Sequence, residues 1–213
     1  MPRPSTGSRR ATAKPGRDTR ERILRAALDV FAERGFEGAR TRDIADASGA
    51  NLGLLQYYFG GKEKLWRAAV DHAFGELWTA LEAAGPAASG GGADHAEMAR
   101  LVGAAVRFAA EHPALIRLMN DEGKRDGPRL RWLVDRHGRR LLETATALLH
   151  RAQAVGLLAG VEPIHFYYLF VGAAGLLFSQ AAECKRLTGV DPTASPAMVQ
   201  AHAEALARLL VGT

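Results

Sequence analysis

Residues 40–59 read RTRDIADASGANLGLLQYYF, and the reading of this stretch decides the fold. It breaks into two short helices joined by a tight turn. Thr41 suits an N-cap, and Asp43 falls in the first turn, where a carboxylate complements the helix dipole. Ile44, Ala45 and Ala47 are the small and apolar residues of the first helix. Ser48-Gly49 ends it, because glycine accepts the left-handed conformation at a helix C-terminus. Asn51 is placed to cap a second helix carrying Leu54, Leu55 and Tyr58 on one side. A small residue at 45 lets the helices cross closely, Gly49 makes the turn, and Leu55 locks the second helix onto the first. That spacing predicts a helix-turn-helix.

Upstream, Asp18 and Glu21 form a candidate capping box, followed by Ile23, Ala26, Ala27, Val30 and Phe31 at helical spacing. Arg34-Gly35 closes that helix, and Phe36 is expected to plug the core beneath the motif. Residues 18–62 therefore read as a three-helix domain with its motif at 40–59. Residues 1–17 are rich in Pro, Gly, Ser, Thr and Arg and are expected to be disordered.

Downstream, Gly60-Gly61 is a break, and Lys62-Glu63-Lys64 opens a helix to about Ala84. A lysine in a first turn opposes the helix dipole, so the preferred reading places a phosphate there rather than bare solvent. GPAASGGGA, residues 85–93, reads as a flexible loop. Further helices are expected from about Asp94 to Glu111, Ala114 to Glu122, Pro128 to Ala154, Glu162 to Leu187 and Pro196 to Leu210. Within the fourth of these, FYYLFVGAAGLLFSQ is apolar all round, which predicts burial from several directions. Its Gly172–Gly175 segment would let another helix approach, one face on the core and one on a second subunit. The fold class is all-α, with residues 63–213 forming a larger C-terminal domain.

The chain has 213 residues, 47% of them hydrophobic and few of them aromatic, which favours packed helices. One cysteine, Cys184, excludes an internal disulfide and fits a reducing cytosol, so a cytoplasmic location is expected. No apolar run reaches the roughly 18 residues of a membrane span, and the basic N-terminus lacks the apolar segment of a secretory signal. Six cations against Asp18 in residues 1–20 carry the whole net charge of +5. A basic arm on a neutral body suits a polyanion. The seven histidines show no metal-ligand spacing, and no nucleophile signature or phosphate loop occurs. No cofactor, metal or catalytic residue is expected, and an enzyme is the weakest reading.

The run TRERILRAALDVFAERGFEGARTRDIADASGANLGLLQYYFGGKEKLWRAAV, Thr19 to Val70, resembles the TetR (tetracycline-repressor-like) family of transcriptional regulators. The shared features are a first helix ending in glycine and an aromatic, a Thr-capped helix with Ile-Ala, Ala-Ser-Gly, an aromatic pair before Phe, and Lys-Glu opening the fourth helix. The resemblance implies a homodimeric repressor that binds a double-stranded DNA operator and is released by a small-molecule effector. The alternative kept beside it is a ligand-independent DNA-binding regulator set by a protein partner or by abundance.

Carried onto this chain, the resemblance places Asn51, Leu52, Gly53 and Gln56 at the major groove. It places Thr41, Tyr57 and Lys62 at phosphates, Tyr58 either packing or at a phosphate too, with Arg40 and Arg42 as further backbone contacts. Leu52, Leu54 and Gly61 stand where many members carry polar groups, which shifts readout towards shape and apolar contact. It also implies a four-helix dimer interface from the last two long helices, with Gly172, Ala173, Gly175, Phe178, Val199, Ala203 and Leu206 in it. A pocket between the helices of the large domain is expected among Trp78, Phe108, Met119, Trp132, His137, Phe166, Tyr167 and Phe170, each of which could instead be plain core.

Overall fold

The structure, a computed structural model, describes residues 15–85 and 95–211. The basic arm up to Lys14 and most of the glycine-rich loop lie outside the described residues. The elements are α1 (Pro15–Gly38), α2 (Thr41–Ser48), α3 (Leu52–Phe59), α4 (Lys62–Ala84), α5 (His95–Glu111) and α6 (Pro113–Glu122). They continue with α7 (Pro128–Leu133), a π-helical turn (Val134–Gly138), α8 (Arg139–Ala154), α9 (Pro163–Ser179), α10 (Ala181–Thr188) and α11 (Pro196–Val211). No strand occurs among the described residues.

α1, α2 and α3 form a small head whose core is Ile23, Ala27, Phe31, Ile44, Ala45, Leu55 and Phe59, all buried. The same core runs on through Leu65, Trp66, Ala69, Val70 and Phe74 of α4 to Leu115 and Leu118 of α6. Head and body thus share one apolar seam, and α1 lies against both α4 and α6. A second core joins Val102, Val106 and Ala109 of α5 to Ala174 and Phe178 of α9 and Ala203 and Leu206 of α11.

Several local expectations are corrected. Thr41 is not the N-cap: Arg40 occupies that position in extended backbone, with no side-chain cap bond, and Thr41 is the first helical residue. Asp18 and Glu21 do not box the start of α1, because that helix already begins at Pro15; Glu21 instead pairs with Arg17 at 3.2 Å. The expected end at Arg34-Gly35 holds, since Gly35 leaves helical backbone at φ 67°, ψ 169°.

The helix expected from Glu162 to Leu187 is two helices. Gln180 sits at φ −110°, ψ 37°, and α9 and α10 bend by 68° there. Cys184 of α10 is thereby carried to within 3.9 Å of the Met198 sulfur on α11. The long helix from Pro128 stays continuous but widens into the π turn at 134–138, a distortion common where a side chain must be re-aimed. Among the described residues no single helix is long and apolar enough to cross a membrane.

Candidate functional site

The surface built by α2 and α3 follows from what anchors it. Asn51 Oδ1 accepts the Leu54 N–H at 2.8 Å, satisfying one of the free donors at the start of α3. Gly49, at φ 62° and ψ 24°, turns the chain between the helices, where a side chain would be strained. Leu55 and Phe59 drive the inner face of α3 into the head core. Arg22 of α1 donates to the Ser48 carbonyl at 2.6 Å, tying down the end of α2. Arg34 pairs with Asp43 in the first turn of α2, holding its other end.

With its back fixed, α3 presents Asn51, Leu52, Gly53, Gln56 and Tyr57 outward; Tyr57 is 82% exposed. Arg40 and Arg42 are exposed beside them, and Thr41 and Tyr58 are half-buried. The rings of Tyr57 and Tyr58 meet edge to face with centroids 5.3 Å apart. A hypothetical Cβ on Gly53 would lie 3.2 Å from Asn51 Oδ1, so this glycine protects the cap as well as flattening the helix surface. Of the sequence-predicted DNA residues, Arg40, Arg42, Asn51, Leu52, Gly53, Gln56 and Tyr57 are thus exposed.

Lys62 departs from the simple expectation of a free cation at a helix start. Its Nζ donates to the Glu37 carbonyl at 3.3 Å and sits 4.6 Å from the centre of the Phe36 ring. Arg129 of α7 also stacks on Phe36, at 4.1 Å, and is held by Glu122 at 2.8 Å. Sequence reasoning did not find Arg129, because nothing in its local pattern marks it as a partner of a residue on α1.

The body holds a partly open cavity of about 660 Å³ between α4, α5, α6, α7, α8 and α9. Of the eight expected lining residues, Phe108, Met119, Tyr167 and Phe170 line it. The other four are corrected. His137 is buried against α4, stacked 4.0 Å from the Phe74 ring with Nε2 2.9 Å from Asp71 Oδ1. Trp132 packs on Trp66 at 5.4 Å. Trp78 is covered by Arg140 at 3.9 Å. Phe166 sits in a separate core with Ala145 and Leu149. Residues that reasoning missed, among them Phe74, Leu77, Leu133, Leu141, Leu148 and Arg151, complete the wall. Leu77 recurs at helical spacing with Leu65, Ala69 and Ala73 of α4, a pattern that does not say whether the stripe meets protein or a void.

Burial pushes the His137 imidazole below its ordinary pKa, with Asp71 pulling the other way. It likewise pushes His112 down, against Glu76. Burial pushes the Tyr167 phenol up, so that group stays neutral.

The expected interface residues divide. Gly172 and Ala173 are exposed, a Cβ on Gly172 would meet open space, and Val199 is half-buried. Gly175, Phe178, Ala203 and Leu206 face inward, which corrects their assignment to a subunit contact. A Cβ on Gly175 would lie 3.2 Å from the Ile116 side chain, so that glycine serves the approach of α6. The face of α9 left open carries Leu169, Gly172, Ala173 and Leu176.

A compact helical head with an outward second helix, joined to a hollow helical body, defines a two-domain helix-turn-helix protein. Residues 23–69 match the family described as bacterial regulatory proteins, tetR family. Residues 95–209 match the tetracyclin repressor-like C-terminal domain, and the chain belongs to the TetR family. It is 41% identical over 56 residues to the HTH-type transcriptional repressor NicS of Pseudomonas putida, a match covering 26% of each chain. The chain spans only 26% to 35% of the length of the first such relatives. Similarity to the HTH-type transcriptional regulator RutR of Escherichia coli is 27% over 171 residues, covering 78% of this chain and 77% of that one. The fold is shared with the ketosteroid transcriptional regulator KstR2 of Mycobacterium tuberculosis, with a TM-score of 0.62 at 21% identity, covering 91% of this chain and 93% of that one.

Proposed function

We propose that this protein is a dimeric transcriptional regulator, read as a repressor, whose grip on a double-stranded DNA operator is released by a small molecule in the body cavity. The observation that carries the proposal is that helices lining the cavity also hold the head. α6 contributes Leu115 and Met119 to the cavity while packing on α1. α4 contributes Phe74 and Leu77 and begins at Lys62, directly after α3. A ligand that prefers one placement of α4 and α6 therefore prefers one placement of the recognition helix. Only such a difference in affinity between forms can move the equilibrium.

On this reading α3 enters the major groove, where Gln56 and the Asn51 amide can read adenine and Leu52 can touch a thymine methyl. Tyr57, Arg40, Arg42 and Lys62 serve phosphates and set register. The partner surface is the open stripe Leu169–Gly172–Ala173–Leu176 of α9, of which Gly172 and Leu176 also line the cavity, with the outer side of α11, where Leu209 is 80% exposed. Two-fold pairing would set the two α3 helices about 34–36 Å apart, or a multiple of that, for successive major grooves. The cytosol is the compartment proposed.

The test is binding of the full chain to duplexes from its own upstream region. Lys62→Ala and Tyr57→Phe are expected to weaken every duplex, and Lys62→Ala to reduce the slope of log affinity against log salt by about 0.9. Gln56→Ala is expected to change the ranking among duplexes. Leu169→Glu is expected to give monomers and weak DNA binding. Equal effects of all the α3 variants on every duplex would contradict the assigned roles.

A further inference from the structure

Resting on the ligand-responsive reading, we infer that the cavity takes a neutral, elongated, lipophilic molecule with a hydrogen-bond acceptor at one end, and rejects both cations and carboxylates. The wall is almost wholly aliphatic and aromatic, and its only charged side chain among the described residues is Arg151. Arg151 is not a free cation: its guanidinium pairs with Glu97 of α5, itself 8% exposed. The pair sums to zero charge at that end of the cavity.

Each class of ligand meets this arrangement differently. A cationic ligand finds no carboxylate in the wall and meets a guanidinium at the polar end, so it loses hydration without a counter-charge. A carboxylate meets a guanidinium whose charge Glu97 already offsets, with the Glu97 carboxylate close behind it, and so adds a negative charge with no free counter-charge in the wall. A neutral carbonyl or hydroxyl oxygen needs only one N–H. A guanidinium has five, and pairing with one carboxylate leaves donors over. Tyr167 adds a neutral phenol to the wall, with no hydrogen-bond partner among the described residues.

Shape follows from α8. Its lining residues run from Leu141 through Thr144, Ala145 and Leu148 to Arg151. At the helical rise that is about 15 Å from the apolar end to the guanidinium. The apolar end abuts Phe74 and Leu77 of α4, so the tail of the ligand, rather than its polar end, presses on the helix that leads to the head.

The test compares three probes of matched chain length on the full chain by calorimetry, each below its micelle concentration: methyl decyl ketone, dodecanoate and dodecyltrimethylammonium. The ketone is expected to bind at least about tenfold tighter than either ion, the scale of leaving one charge uncompensated. In Glu97→Gln, which unmasks the Arg151 charge, dodecanoate is expected to gain about tenfold while the ketone changes little. Dodecanoate or the ammonium matching the ketone on the wild-type chain would overturn this inference and leave ligand control standing. Failure of all three to bind the wild-type chain would overturn ligand control together with it. Should Glu97→Gln not fold, the wild-type comparison decides alone.

Discussion

The head and the body are built from the same helices packed to opposite ends. In the head, every inward side chain of α2 and α3 meets another: Ile44 and Ala45 face Leu55 and Phe59, and ion pairs and caps close the corners. In the body, the inward faces of α4, α5, α6 and α8 stop short of one another around about 660 Å³. The head must hold four or five side chains in one arrangement to read DNA. On the proposed function, the body must be able to change. Dense packing is brittle and a lined void is compliant, so substitutions of similar chemistry should behave differently in the two regions.

The sharpest break of that comparison is a truncation in the head. Leu55→Ala deletes the residue that locks α3 to α2, with no adjoining space to collapse into. A loss of about 2–5 kcal/mol is expected, with DNA binding abolished at moderate temperature, measured by chemical denaturation and by duplex binding. Next comes Asn51→Ala, which removes the one side-chain cap of α3. About 1 kcal/mol is expected, with DNA affinity falling further than global stability because the first turn of the recognition helix frays. Unchanged amide exchange at Leu54 would contradict the cap's role.

Filling the body should do the reverse. Ala105 and Ala109 line the cavity from α5. Ala105→Leu places a larger side chain where there is room, so stability is expected to stay within about 1 kcal/mol of wild type, unlike overpacking of a filled core. DNA binding should persist while release by the ketone probe is lost. A melting temperature lowered as far as that of Leu55→Ala would erase the contrast between the two regions.

The same contrast explains what the sequence could tell. The head was legible almost residue by residue, because its turn glycine, Asn51 cap and buried Leu55 are local signals within twenty positions. Even there Thr41 was misplaced by one position: a threonine before an apolar run looks like a cap, but Arg40 already holds the extended backbone that a cap requires. In the body, helix positions were legible and faces were not. Gly175 and Gly172 look alike in sequence, yet one accommodates Ile116 and the other meets open space. Trp132 and His137 look like pocket aromatics, yet the π turn carries His137 round to Asp71 and Phe74. Which side of a helix meets protein, void or partner is decided by residues far away along the chain.

That π turn gives the smallest expected effect, a slope of stability with pH. His137 is buried, and burial holds its imidazole below its ordinary pKa despite the neighbouring Asp71. The unfolded chain therefore binds a proton at a pH where the folded chain does not. Stability from keeping this ring neutral is complete above the ordinary imidazole value and drains away as pH falls through it towards the lower folded value. His112 on the α5–α6 junction has the same sign, so the total slope belongs to both. His137→Phe keeps the stack on Phe74 and removes the titration, leaving Asp71 paired with Arg136 at 3.1 Å. Melting temperature followed from neutral pH down to about pH 5, below the ordinary imidazole range, should fall less steeply in His137→Phe than in wild type. An identical slope would place the acid sensitivity elsewhere, and would mean that the body relaxes around a charged His137 as readily as ligand control requires it to relax around a ligand.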